Sequence, residues 1–586
     1  MIKSNFDKFP VIAVEDQEDH CHTGWDKICK AINEKIIHKR KTSGKVLLII
    51  DCYQGVYHED LASNFRERLN YNHFLHTHDI FKSEKDIREM IHPDLTDDRI
   101  FGRITSLDIH DYFKAPAFEK ARANVAGFDG TIVIYGEGAA AIAGPGDILV
   151  YADMARWEIQ MRMRRNEVDN LGVNNRKDEF SLQYKQGYFI DWRVLDKHKQ
   201  SLMDKWNYVL DTNNRQTPKL APADAVMKGL EIASKSPFRV VPFFDPGPWG
   251  GQWMKEVCDL DRSAENYAWC FDCVPEENSL LLKFGELVFE IPSINLVFAH
   301  PEKLLGKQVH QRFGKEFPIR FDLLDTIDGG NLSLQVHPTR EYIKQKFGLE
   351  YTQDESYYML DVKDDAVVYL GLKEGIDPDK MIDQLEKAQN GSSFDADGFV
   401  NKWKVNKHDH VPIPAGTVHC SGKNSMVLEI SATPYIFTFK LWDWDRLGLD
   451  GKPRPIHINH GKHVIQWDRT TEWTKKNLLN GVEKIAEGDG WVEEKTGLHA
   501  SQFIETRRHW FTKKVYHDTG GGVNILNLVE GREAIVESPT GDFEPFVVHY
   551  AETFIVPAAV GAYTIKPHGE SEGRKCGTIK AFVRIE

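Results

Sequence analysis

No stretch of this 586-residue chain approaches the ~18 consecutive apolar residues that a membrane-spanning helix needs. Cysteine is scarce. Eight in the whole sequence are too few for a disulfide scaffold and suit a reducing compartment. Met1 opens onto Lys3, Asp7 and Lys8 without the apolar core of a signal peptide, so a cytoplasmic location is expected. Positive charge is in deficit: 74 Lys and Arg against 88 Asp and Glu give −14. That balance argues against a nucleic-acid partner. What remains is ordinary for folded protein, with 41% apolar and 28% charged residues. At ~150 residues per domain, the length allows about four domains or fewer.

Residues 1–235 read as alternating strands and helices. Val46-Leu47-Leu48-Ile49-Ile50 ends in Asp51, and Thr131–Tyr135 and Ile148–Asp153 repeat the pattern. Short β-rich runs separated by helical stretches predict a buried parallel sheet. After Asp153 comes a basic helix carrying Arg156, Arg162, Arg164 and Arg165. That order, with Ser106–Phe113, resembles uridine-kinase-type P-loop phosphotransferases. Such a kinase needs G-x-x-x-x-G-K-[ST] after its first strand, where backbone amides and a lysine hold phosphate. Here the turn from Asp51 to Asp60 has one glycine, no lysine and three acidic side chains. It is expected to repel a triphosphate, which implies a degenerate domain kept for packing, regulation or substrate access. Gly136-Glu137-Gly138 reads as loop punctuation. His20-Cys21-His22 and the group His73, His76, His78 read as solvated polar segments.

Beyond about 235 the texture changes to short strands with frequent Gly and Pro turns, an all-β signature. Pro414–His419 and Pro557–Ala562 are weak internal echoes, each set before a strand. Two copies of one barrel follow, over 236–465 and 466–586, with a helical insertion near 375–404. Ala562 stands where the first copy has His419, so a metal is expected only in the first. Cys270-Phe271-Asp272-Cys273 lacks the second pair that a structural zinc requires.

Leu334-Gln335-Val336-His337 carries the strongest chemical signal. On a strand, residues i and i+2 share a face, so Gln335 and His337 point together. Glu355 follows 18 residues later and His419 another 64. Two imidazoles, a carboxylate and an amide oxygen suit zinc or another divalent ion.

Ser333–Pro338, the turn Pro414–His419, Asp443-Trp444-Asp445-Arg446 and Pro248-Trp249-Gly250-Gly251 together resemble type I phosphomannose isomerases. The resemblance spans about 240–586. It implies a double cupin barrel, so the expected fold is multidomain: a kinase-like α/β sheet followed by two cupin barrels. It implies one metal ion per chain, Zn2+ or another divalent cation, held by Gln335, His337, Glu355 and His419. It also implies an isomerase that interconverts mannose 6-phosphate and fructose 6-phosphate through a cis-enediol, with the sugar phosphate as partner. Glu429 and Lys440 are the candidate catalytic residues. Two positions depart from the family: Gln353 replaces its usual lysine, and Lys440 its usual arginine. These departures leave open an impaired, sugar-phosphate-binding regulatory protein, or an isomerase of another sugar.

Overall fold

The computed structural model describes residues 4–17, 20–432, 437–479 and 481–585. The chain divides into two compact units.

The α/β unit comprises Val11–Ile232 and Ser279–Ala299. Its main sheet has five parallel strands: β1 (Val46–Cys52), β2 (His73–His76), β3 (Thr131–Gly136), β4 (Ile148–Asp153) and β5 (Tyr208–Asp211). They lie in the order β2-β3-β1-β4-β5, and Lys219–Pro222 and His22–Thr23 add antiparallel strands beyond β5. All seven residues of β1 are buried. A central strand covered on both faces reads as such a continuous apolar run. One cover is the helix Trp25–Ser43, which turns Ile28, Ile32 and Ile36 inward and stops at Gly44, φ 67°. Chain order reverses around β1, so the carboxyl ends of β1 and its neighbours form the crevice where α/β sheets bind ligands.

Several expectations for this unit need correction. Asp51 does not face the turn that follows β1. It is fully buried, and its Oδ2 accepts from Ala140 N–H and lies 2.8 Å from His198 Nε2. Of the three acidic side chains counted there, only Glu59 and Asp60 face the crevice. The arginine-rich helix (Arg156–Arg164) spends its charges on the protein. Arg156 pairs with Asp196, and buried Arg162 donates to the carbonyls of Gly55 and Thr212. The boundary is also more complex than a cut near 235. Ser279–Phe284 and Leu287–Pro292 form a hairpin, and the first of these strands pairs in parallel with Val11–Ala13. An apolar run such as Leu280-Leu281-Leu282 carries no local mark of which sheet it will join.

The β unit comprises the first ten residues, Ala233–Asn278 and His300–Glu586. A six-stranded antiparallel sheet contains β7 (Asp354–Val362) and β9 (Ser425–Ala432). A five-stranded one contains β6 (Leu334–Val336), β8 (His419–Ser421) and β10 (Phe439–Trp442). The helix Pro378–Gln389 is inserted between strands and capped by Asp377, whose side chain accepts from two backbone amides. Sheets of six and four strands follow between Glu483 and Val583. They enclose a core of residues such as Leu526, Val536, Phe554 and Ile565. The segment after 466 begins with Thr471–Leu478, and its Thr474 packs on Gly371 of the first pair of sheets. The strand that carries Lys440 is β10, Phe439–Trp442.

Candidate metal centre

The four sequence-derived ligands converge between the first two sheets. Gln335 lies at the centre of β6 and His337 just beyond its end, so the two share a face while Leu334 and Val336 pack in the opposite direction. His419 opens β8 directly opposite Gln335. Glu355 comes from β7 in the facing sheet. All four are buried.

One carboxylate gathers the imidazoles. His337 Nε2 is 3.0 Å from Glu355 Oε2, and His419 Nε2 is 2.8 Å from Oε1. Gln335 Nε2 is 3.2 Å from His419 Nε2, while its Oε1 accepts from Ser333 Oγ. The outer ring nitrogens face backbone oxygens: His337 Nδ1 is 3.1 Å from Phe437 O, and His419 Nδ1 2.8 Å from Thr417 O. A proton held at Nδ1 leaves the Nε2 lone pair free to bind a cation. Hydrogen bonding inside the cluster is incomplete, since His337 Nε2 and Glu355 Oε1 are buried without well-formed partners. Borderline nitrogen and oxygen donors with orphaned lone pairs around one point fit a divalent ion of the zinc type. Burial alone would raise the Glu355 carboxyl, but the flanking His337 and His419 hold it well below the usual range.

Gln353 is buried and donates its amide to Glu355 Oε2 at 2.8 Å, with Glu429 Oε1 at 3.5 Å. It therefore holds the Glu355 carboxylate in place, a role that its type did not reveal in the sequence. Glu429, on β9, sits in register between Asp322 and Tyr357. Tyr357 is two residues from Glu355, so this row faces the metal side. Burial, reinforced by the charges of Glu355 and Asp322, pushes the Glu429 carboxyl well above its ordinary value.

Lys440 lies opposite Gln335 on β10, so His419, Gln335 and Lys440 form one row across three strands. It is half-buried. Burial, with Arg454 nearby, brings its ammonium down to about 7. Asp443, the attractive charge beside it, is already engaged by Arg446 at 2.7 Å and Arg454 at 3.1 Å. Two guanidiniums on one carboxylate leave an excess of one positive charge beside Lys440. Sequence reasoning missed Arg446 and Arg454 as members of this group. Their place in the Asp-Trp-Asp-Arg and Gly-Lys-Pro-Arg segments was the available signal.

Residues 24–235 match a family described as a domain of unknown function (DUF8485). The probable mannose-6-phosphate isomerase GmuF of Bacillus subtilis is 33% identical over 230 residues, which are 39% of this chain and 68% of GmuF. The mannose-6-phosphate isomerase of Streptococcus mutans is 26% identical over 40% of this chain and 70% of its own. Among solved structures, the mannose 6-phosphate isomerase of Bacillus subtilis aligns with a TM-score of 0.48 at 19% identity, over 59% of this chain and 99% of its own. The chain thus spans about two thirds of the length of its curated relatives. Identity at a third of positions over that span marks common descent, and the chain belongs to the mannose-6-phosphate isomerase family.

Proposed function

We infer that this chain is a metal-dependent aldose–ketose isomerase that interconverts mannose 6-phosphate and fructose 6-phosphate. The observation that carries the reading is the buried set Gln335, His337, Glu355 and His419, with both histidines turned Nε2-inward by backbone carbonyls. The family relationship supplies the substrate. A divalent ion at that set, zinc by its donors, would stabilise negative charge developing on O1 and O2 of the sugar.

In the forward reaction the proton on C2 of the open-chain aldose leaves, O1 gains a proton, and a cis-enediol forms. O2 then gives up its proton, C1 receives one, and the ketose results. Lys440 is assigned the carbon-bound proton. It stands beside Gln335, and its lowered proton affinity suits both taking and returning a proton near neutrality. Glu429, whose carboxyl is pushed well above its ordinary value by burial and by the charges of Glu355 and Asp322, is assigned a hydrogen bond to the sugar oxygens. Arg446 and Arg454, two guanidiniums against the single Asp443 carboxylate, are suited to the phosphate.

The α/β unit is read as kinase-like in ancestry and without phosphotransfer. Its parallel sheet and the arginine-rich helix after Asp153 support the first statement. The single Gly55 and missing lysine after β1 support the second. All eight cysteines are free thiols, which favours a cytoplasmic setting.

The test is a coupled assay of mannose 6-phosphate isomerisation on metal-analysed protein, with and without chelator. Activity should follow the bound metal. His419→Ala should abolish turnover while the fold survives. An active, metal-free His419→Ala protein would refute the assignment.

A further inference from the structure

A second group of histidines gathers in the α/β unit, at the carboxyl ends of β1, β2 and β3. His58 is the first residue of α1 (His58–Arg68), two residues past the Gly55-Val56 turn after β1. His76 closes β2, and His78 lies in the 3-10 turn that follows it. Glu137 comes directly after β3. Each imidazole offers a ring nitrogen within 4.8 Å of the other two. His76 and His78 were read from the sequence as solvated. Their positions, with only one residue between them, hid the third histidine that β-strand order brings across from α1.

Glu137 is buried, at 4% exposure. Its Oε1 is 3.0 Å from His58 Nε2 and its Oε2 is 2.8 Å from His78 Nε2. Glu355 meets His419 and His337 at the same two distances, again one oxygen to each imidazole. The third ring completes the set. Among the described residues, buried His76 Nε2 has no hydrogen-bond partner, and neither has His58 Nδ1. The glycines read as loop punctuation build the cradle. A Cβ on Gly136, at φ 115°, would come 2.2 Å from Thr77 Oγ1 and 3.1 Å from the His76 ring. A Cβ on Gly138 would come 2.5 Å from Ile109. Only glycine on both sides lets Glu137 sit this close beneath the imidazoles.

The group opens onto a cavity of about 630 Å³. Six carboxylates (Glu59, Asp60, Glu84, Glu137, Glu167 and Asp169) line it against three cations, Lys82, Arg176 and Arg215. Arg215 is taken by Asp60 and Arg176 by Asp169, while Arg88 and Arg165 hold Glu84 and Glu167, so the acids in excess are Glu59 and Glu137. Such a cavity favours a cation over an anion.

We propose that His58, His76, His78 and Glu137 form a second divalent-metal site, facing the cavity of the α/β unit and independent of the isomerase centre. Three imidazoles and one carboxylate select a first-row transition ion, with zinc foremost and cobalt as a spectroscopic substitute, over magnesium or calcium. The open side leaves room for water or an oxygen-donor ligand. The ion occupies the crevice where a phosphotransferase would hold its nucleotide, so this unit binds metal where its fold class binds phosphate.

The experiment is metal analysis of the full chain after loading with zinc and exhaustive gel filtration. Wild type should hold two ions per chain, His419→Ala one, and His419→Ala combined with His76→Gln none. His76→Gln alone should hold one ion and isomerise mannose 6-phosphate at the wild-type rate. One ion in wild type that disappears in His419→Ala overturns the second site and leaves the isomerase reading standing. One ion that survives His419→Ala but not His76→Gln does the reverse. Should His76→Gln fail to fold, His419→Ala loaded with cobalt decides the matter. A visible absorption band typical of low-coordinate, imidazole-bound cobalt supports the site, and the band's absence overturns it.

Discussion

His410 links the two pairs of sheets in the β unit and should make its stability fall in acid. Its Nδ1 is 2.9 Å from Thr496 Oγ1 and its Nε2 2.9 Å from Ser356 Oγ. A Cβ on Gly497, which has φ +79°, would come 2.1 Å from the ring, so nothing larger fits there. Burial, with Arg508 adding repulsion, pushes the imidazole down to about 3. An unfolded histidine titrates near 6.5. Between these values the unfolded chain binds a proton that the folded chain refuses. Stability therefore rises with pH across this window, and is lost as pH falls from about 6.5 toward 3. The slope is about 1.4 kcal/mol per pH unit for one group. Going from pH 7.5 to 4.5 traverses two units of the window and should cost about 2.7 kcal/mol. Carboxylates titrate in the same range, so the readout must be differential. His410→Gln keeps a side chain able to bond both hydroxyls and has no titratable proton. Urea unfolding of both proteins at the two pH values, followed by tryptophan fluorescence, gives the comparison. The advantage of wild type over variant should shrink by about 2.7 kcal/mol at the lower pH. An unchanged gap would show that the imidazole titrates normally in the fold, and the reasoning would fail.

Other outcomes follow from the metal centre. Lys440→Met should retain the metal but lose about 100- to 1000-fold in kcat/KM, the loss usual for one preorganised charged contact. Wild-type kinetics would make Lys440 a bystander. Lys440→Arg should keep KM near wild type and lose turnover, because a guanidinium does not release its proton near neutrality. Gln353→Ala should weaken zinc binding about 10- to 100-fold by freeing the Glu355 carboxylate, measurable by competition with a chelating dye. An unaltered zinc affinity would mean that the amide does not orient the ligand.

The legibility of the sequence depended on distance along the chain. Gln335 and His337 are two apart on one strand, so period-2 geometry and family motifs sufficed to pair them. Glu429 alternates with apolar Leu428 and Ile430, and Lys440 is a lone charge in the apolar and aromatic run from Phe439 to Trp442, which marked both as candidates. Asp51 was misjudged because turn composition does not say which side chains fold back; its partners Ala140 and His198 lie far along the chain. The same limit hid the association of His58 with His76, His78 and Glu137, which depends on β1, β2 and β3 ending side by side. The strand Ser279–Phe284 was assigned to the wrong unit because its partner, Val11–Ala13, is some 270 residues earlier.

That interleaving has a consequence for synthesis on the ribosome. Residues after Pro10 open the α/β unit, yet its three-stranded sheet lacks two strands until about residue 292 has been made. The short arm before them waits longer still. Asp7 N–H donates to Glu552, and Ser4 to the carbonyl of Val257. Ser4 and Asp7 thus wait for partners 253 and 545 residues further along the chain. Neither unit corresponds to a continuous stretch of nascent chain, so neither is complete until later segments have been made.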